Sequence, residues 1–415
     1  MLTLPEKLRI IRRAKGISLE SLGADVGYSH AVLSNLENGK KDISPAKLSL
    51  IRVALNIWDM PLFEHEENSF KERLYLWYTA INLRQHKRAK ELEASLVGIK
   101  HLPFATEMNL MYEIFRARSF LSENKCMKAR EILDQIEPGD NPEILHHYHL
   151  NMGTIFSRQG AQGDALHHYL TALKLKKDSY HSNGWLEYNI ANTYWHQGKL
   201  TKSTIFAEKA LEVTAPPLLL EAALVNMLAL NYICYGLFPK AMELMDSLLE
   251  KVVGNRDVKF AAMIHLSYGQ LYIQKKDWNT ALYYIDDALG GFEYGEKFYL
   301  DASYQRAVCL YELGNIPQCI ATIAQAKKGI GERKVYHILF KALECRLDLE
   351  GDKNLEYIEN EALPFFIKEL PLEGLVYCKL LQQYYNTRPN RTMKKSLGLE
   401  RVINNIYCNM LEPLA

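Results

Sequence analysis

One pattern of small and aromatic residues recurs five times in this 415-residue chain and restricts it to stacked helices. From Gly153, the residues Phe156, Gly160, Ala165, Tyr169 and Ala172 fall 3, 7, 12, 16 and 19 positions on. The same steps run from Ala191 through Tyr194, Gly198, Ser203, Ala207 and Ala210, and from Ala229 through Tyr232, Gly236, Ala241, Met245 and Leu248. They recur from Gly269 (Tyr272, Lys276, Ala281, Ile285, Ala288) and from Ala307 (Leu310, Gly314, Cys319, Ile323, Ala326). Weaker copies stand at Trp77 and Ala89 and at Ala117, Phe120 and Ala129, and a degenerate one surrounds Leu347, Gly351 and Leu363. The anchors 77, 117, 153, 191, 229, 269 and 307 lie 40, 36, 38, 38, 40 and 38 residues apart, room for two helices and two loops per unit. Small residues let the paired helices approach, the aromatic fills the gap, and glycine permits the turn.

This pattern resembles a tetratricopeptide repeat array with units somewhat longer than the usual ~34 residues. The resemblance implies a right-handed superhelix whose first helices line a concave groove. Inward positions of those helices hold Asn151, Asn189, Asn192 and Asn226, with Gln270 and Gln305 further on. An amide side chain offers donors and an acceptor and can pair with a peptide bond as a neighbouring strand would. Arg118 could meet a carboxylate, and Trp185, Tyr188, Trp195, Leu230, Ile233 and Tyr304 would supply apolar pockets. Each Asn could equally satisfy a loop or an adjacent helix. An extended peptide of ~5–8 residues spans roughly 17–28 Å, which suits two to four repeats centred on residues 150–310.

The stretch from Leu8 to Leu55 is different. Apolar residues recur at helical spacing in short blocks: Leu8 and Ile11; Leu19, Leu22 and Val26; Leu33 and Leu36; Leu48, Ile51 and Leu55. Turn chemistry separates the blocks: Gly16 with Ser18, Gly27 with Ser29, Asn38-Gly39, then Ser44-Pro45. The tight turn at Gly27 joins two short helices as in a helix-turn-helix, with small Gly23 at their closest approach. The stretch, including Leu36–Lys40 (LENGK), resembles the DNA-binding domain of the XRE/Cro/phage-repressor family. The resemblance implies a buried pair between Glu37 and Arg12. It also implies that the third helix enters the major groove, presenting Ser29, His30, Ala31, Val32, Ser34 and Asn35. Asn35 suits adenine, and the methyls of Ala31 and Val32 suit thymine. Ser29, Lys40, Lys41 and Lys47 are placed for phosphates. Leu19 departs from the Gln usual at its position, which removes one expected phosphate contact. Residues 1–57 hold nine Lys and Arg against five Asp and Glu, an excess of four, whereas the whole chain is only +1.

The rest of the sequence bounds the reading. The N-terminus reads as an amphipathic helix rather than a signal peptide, and no apolar run reaches the ~18 residues of a membrane span. Seven cysteines without a C-x-x-C pair fit a reducing, cytoplasmic setting. The runs HHYH (146–149) and HHYL (167–170) lack the spacing and carboxylates of a metal site. There is no phosphate loop, dinucleotide fingerprint, zinc-protease motif or nucleophile elbow, so neither an enzyme nor a cofactor is expected.

The plan is therefore all-α. A helix-turn-helix domain occupies residues 1–62 and an acidic linker 63–71. An array of about eight units spans 72–390, and a capping helix fills 391–415, beyond a break at NTRPNR. This order resembles the RRNPP family of peptide-pheromone receptors, in particular its longer members. The resemblance implies a homodimer, a duplex DNA operator, and a short signalling peptide in the groove. Two alternatives share the architecture: a scaffold gripping a response regulator, and a phage-type lysogeny switch.

Overall fold

The structure is a computed structural model and describes residues 2–57, 60–96, 106–177, 184–212, 218–254, 257–349, 351–387 and 393–412. All regular elements among them are helical. The chain divides into two compact units, Met1–His181 and Ser182–Ala415.

The first unit opens with four short helices: α1 (Leu4–Ala14), α2 (Leu19–Val26), α3 (His30–Glu37) and α4 (Pro45–Ala54). Their boundaries follow local chemistry. Ser18, Ser29 and Ser44 accept the backbone N–H of Ser21, Val32 and Lys47 at 3.0, 3.4 and 3.4 Å. Gly27 ends α2 at φ 72°, and a Cβ on Gly23 would sit 2.4 Å from the Tyr28 carbonyl oxygen. The apolar blocks form one core of Leu8, Ile11, Leu22, Val26, Leu33, Leu36, Leu48, Ile51 and Leu55. Each fully buried leucine contributes roughly 1.5–3 kcal/mol.

That core does not stop at the domain edge. Ile57, Met60 and Leu62 belong to it, and Phe63 and Met108 pack on it. The linker expected over 63–71 is instead the start of α5 (Glu64–Asn82). Its acidic run lies in the first turn, where Glu64, Glu66 and Glu67 meet the positive end of the helix dipole. Glu66 accepts the N–H of Leu62 at 2.7 Å and Phe63 at 3.1 Å and binds Arg52 through both carboxylate oxygens at 2.8 Å. Buried Lys7 donates to the Leu62 carbonyl at 2.9 Å and pairs with Glu67. The pairs α5 and α6 (His86–Ala94), α7 (Thr106–Ser122) and α8 (Cys126–Asp134), and α9 (Pro142–Arg158) and α10 (Gln162–Leu175) complete this unit.

The second unit continues the alternation. Its pairs are α11 (Trp185–His196) with α12 (Leu200–Leu211), α13 (Leu218–Cys234) with α14 (Phe238–Gly254), α15 (Val258–Gln274) with α16 (Trp278–Leu289), and α17 (Lys297–Glu312) with α18 (Ile316–Lys327). In both units the residue sixteen positions beyond the anchor fills the space that the small anchor leaves. A Cβ on Gly153 would meet the Tyr169 ring at 2.6 Å, and one on Gly269 would meet Ile285 at 2.5 Å. After α19 (Lys334–Leu347) the partner helix is broken into α20 (Asp352–Tyr357), a π turn over Ile358–Ala362 and α21 (Leu363–Glu369). Pro364 lacks the N–H that would continue the α ladder there. The chain ends in α22 (Pro371–Asn386) and α23 (Met393–Met410), which pack on each other. Residues 388–392, where the NTRPNR break was expected, lie outside the described residues. No helix among the described residues is long and apolar enough to cross a membrane.

Candidate functional site

Two surfaces carry the residues singled out in the sequence. On the first, the buried pair implied by the family resemblance is present. Arg12 Nε and Nη2 donate to Glu37 Oε1 and Oε2 at 2.7 and 2.8 Å, and Nη1 donates to the Ile17 carbonyl at 2.7 Å. Both side chains are only 8% exposed, and the Glu37 hydrogen bond raises the Arg12 pKa. The pair ties α1 to the end of α3 and so fixes the tilt of that helix.

The N-terminal end of α3 is open. Ser29, His30 and Ala31 are exposed, while Val32, Ser34 and Asn35 are half-buried. Val32 packs on the core, so its methyls are partly committed to the fold. Lys40 and Lys41 are exposed beyond α3, and Lys47 sits 5.6 Å over the Tyr28 ring. The sequence reading missed three participants. Tyr28 orients Lys47, and Asn38 joins Ser34 (3.4 Å) to Arg9 (3.2 Å) on α1. Asn38 was read only as a helix stop, and the contacts of Tyr28 and Arg9 act across helices where no local motif marks them.

The second surface is the wall formed by the first helices of the array. Within the second unit α11, α13, α15, α17 and α19 pack in succession. Trp185, Tyr188, Asn189, Asn192 and Trp195 lie half-buried on α11, as do Leu230 on α13, Gln270 on α15 and Gln305 on α17; Ile233 on α13 is buried. Four polar atoms of this set are buried with no hydrogen-bond partner among the described residues: Asn189 Nδ2, Trp185 Nε1, Trp195 Nε1 and Gln305 Oε1. An unpaired buried polar group costs about 1–3 kcal/mol, so such a grouping suits a surface that pairs with something else.

Four other residues expected to reach a ligand are engaged within the fold. Asn151 is 2% exposed, and its amide donates to the Ile114 carbonyl at 2.8 Å, bracing α9 on α7. Asn226 accepts from Ser267 at 2.8 Å. Arg118 donates to Asn82 (2.9 Å) and Thr154 (3.4 Å), and burial lowers its pKa. The Tyr304 hydroxyl donates to Glu373 on α22. For Asn151, Asn226 and Arg118 the partners lie on adjacent first helices, while Tyr304 reaches past α19 to α22; polar side chains there find neighbours within the fold first.

The structure adds groups that the sequence did not single out. Asp301, one turn before Tyr304, accepts from the Tyr336 hydroxyl at 2.7 Å, and burial raises the pKa of both Asp301 and Glu373. Asn231 is fully buried, donating to Ser203 and Thr204 at 3.1 Å. The two histidine runs do meet: His149 Nδ1 and His168 Nδ1 lie 2.8 Å apart. Burial lowers the His168 pKa to about 4. No group of three or more ligand-type residues that could hold a metal occurs among the described residues.

These features define a helix-turn-helix protein with a tetratricopeptide-like helical array. Residues 8–57 match the helix-turn-helix family HTH_3. The regulatory protein RapD of Bacillus subtilis (strain 168) is 22% identical over 303 residues, covering 68% of this chain and 84% of RapD. NprR in complex with its cognate peptide NprX shares the fold with a TM-score of 0.70 at 20% identity, over 82% of this chain and 99% of that one. The apo quorum sensor NprR from B. thuringiensis gives 0.64 at 20% identity with the same coverage. A Rap protein complexed with Competence and Sporulation Factor gives 0.72 at 17% identity, over 83% and 99%. The fold of this chain is thus similar to that of NprR and of a Rap protein.

Proposed function

We propose that this chain is a transcriptional regulator that binds an operator through α3 and a short linear peptide on the inner wall of its array. It is read as a regulator without catalysis. The observation that carries the reading is the set of unpaired polar atoms on α11 and α17, in a chain whose N-terminal domain keeps an open recognition helix. Asn189 Nδ2 is a donor with no acceptor among the described residues and suits a peptide carbonyl; Gln305 Oε1 suits a peptide N–H. Asn192, Gln270 and the apolar Trp185, Trp195 and Leu230 would complete the contact.

On DNA, Asn35 and Ala31 read bases, while Ser29, Lys40, Lys41 and Lys47 hold phosphate. Two copies of the domain about one helical turn apart, ~34 Å, would read two half-sites of an operator as a homodimer. The peptide shifts the population between array conformations by binding them with different affinity. The Asn189→Ala variant tests the assignment. Operator affinity of the free protein is retained while peptide affinity falls roughly tenfold, the value of about 1.4 kcal/mol for one lost hydrogen bond. Unchanged peptide affinity would remove Asn189 from the site.

A second reading keeps the same array, which is similar to that of Rap proteins, and has it grip a protein such as a response regulator. Capture of a response regulator by the purified chain, with no sequence preference on DNA, would select it.

A further inference from the structure

The end of the chain closes back on a repeat some two hundred residues earlier in the same unit. Thr201 on α12 donates its hydroxyl to the Met410 carbonyl at 3.2 Å, at the C-terminal end of α23. Lys199 and Lys202 hold the two carboxylate oxygens of Glu412 at 3.1 and 2.9 Å. Between these polar contacts lies a small apolar patch of Leu200, Ile406 and Met410. Gly198, at φ 71°, lies so near α22 that a Cβ there would sit 2.9 Å from Pro371.

This seam is unlike the packing along the array. Successive repeats bury continuous apolar faces, whereas here three buried apolar side chains, with Trp195, Tyr235, Leu372, Leu375 and Val402 packed against them, carry an ion-paired edge at Glu412. Beside them is an open cleft of about 410 Å³ lined by Gln197, Lys199, Pro371, Asn405, Ile406 and Asn409. The Glu412 side chain is 42% exposed, so salt screens its attraction to the two lysines. A contact with a small buried core and a screened ionic edge opens locally more readily than a repeat interface.

We propose that residues 402–412 form an ionic clasp on α12 whose release changes access to the inner wall of the second unit. The link to the wall is Trp195. It packs on the Leu200, Ile406 and Met410 patch, and its Nε1 is one of the unpaired atoms assigned to the peptide. Lys202, which holds Glu412, also stands 5.9 Å over the ring of Tyr194, next to Trp195 on α11. Opening the clasp therefore frees one side of Trp195. The clasp stands on the contacts alone, and its bearing on ligand access rests on the peptide reading above.

Hydrogen exchange on the full chain tests it without any ligand. Glu412→Lys, or raising NaCl from about 0.05 to 0.5 M, speeds exchange in residues 399–410 and 200–206 roughly five- to tenfold and leaves α15 and α16 unchanged. The triple variant Lys199→Glu/Lys202→Glu/Glu412→Lys restores slow exchange. Acrylamide quenching of the Trp195 signal, taken as the difference from Trp195→Phe, rises with Glu412→Lys. Exchange indifferent to both salt and Glu412→Lys, or a triple variant that stays fast, overturns the clasp. Fast exchange with unaltered Trp195 quenching overturns its link to the wall. Neither result depends on whether the ligand is a peptide, so the two proposals fail separately.

Discussion

Arg12 and Glu37 show how a single pair can set a functional surface from beneath. Neither residue reaches the open face of α3, yet together they decide where that face points. Removing one partner leaves the other charge buried, and Glu37→Ala is expected to destabilise the N-terminal domain by about 3–5 kcal/mol, read from its thermal unfolding. An Arg12→Met/Glu37→Leu double variant recovers most of the loss. The recognition residues behave differently: Asn35→Ala relaxes base preference, whereas Lys40→Ala weakens binding to all duplexes and shallows the salt dependence, both seen in binding titrations. Two half-buried histidines add a pH dependence. Burial holds His168 at about 4 and His196 at about 3, below the free value of 6.5. The unfolded chain binds protons at these sites first. Stability therefore falls as pH drops from 6.5 toward 4, by roughly 1 kcal/mol per histidine at pH 5 once solvent contact is allowed for. Denaturant midpoints at pH 5 and 7 measure it, and the difference shrinks in His196→Gln.

Among elements, what was legible in the sequence was whatever repeats or follows from neighbours in the chain. The serine caps, Gly27, Gly23 and the five-fold small-residue register are local or periodic signals, and the structure places them as read. The start of α5 was hidden because an acidic run reads as solvated linker; in the fold it caps the Leu62 and Phe63 N–H groups and pairs with Lys7 and Arg52. The inner wall was half legible. Spacing singled out polar positions on the first helices but not which of them a neighbour would take: Asn151 and Asn226 are taken, and Asn189 Nδ2 has no partner among the described residues. The return of α23 to α12 left no trace, since it joins residues 209 apart. At this scale Gly153→Ala and Gly269→Ala each force a side chain against Tyr169 or Ile285 and are expected to cost about 1–3 kcal/mol, visible as lowered unfolding midpoints. Gly163→Ala, with open space around it, is expected to be neutral or slightly stabilising.

For the whole molecule, the joint between the DNA-binding domain and the array matters most. Lys7 with Leu62 and Glu67, Arg52 with Glu66, and a core continuous from Leu8 to Met108 weld the helix-turn-helix to α5 and α7. The helix-turn-helix is thus packed on α5 and α7 rather than joined to them by a free tether. The account rests first on α3 reading sequence. The most direct measurement is selection of duplexes from a random DNA pool by the full-length protein at about 0.15 M salt, where phosphate contacts alone no longer dominate. The predicted result is one enriched motif of paired half-sites that disappears with Asn35→Ala. A recovered pool with no enriched sequence, or a motif untouched by Asn35→Ala, would contradict it.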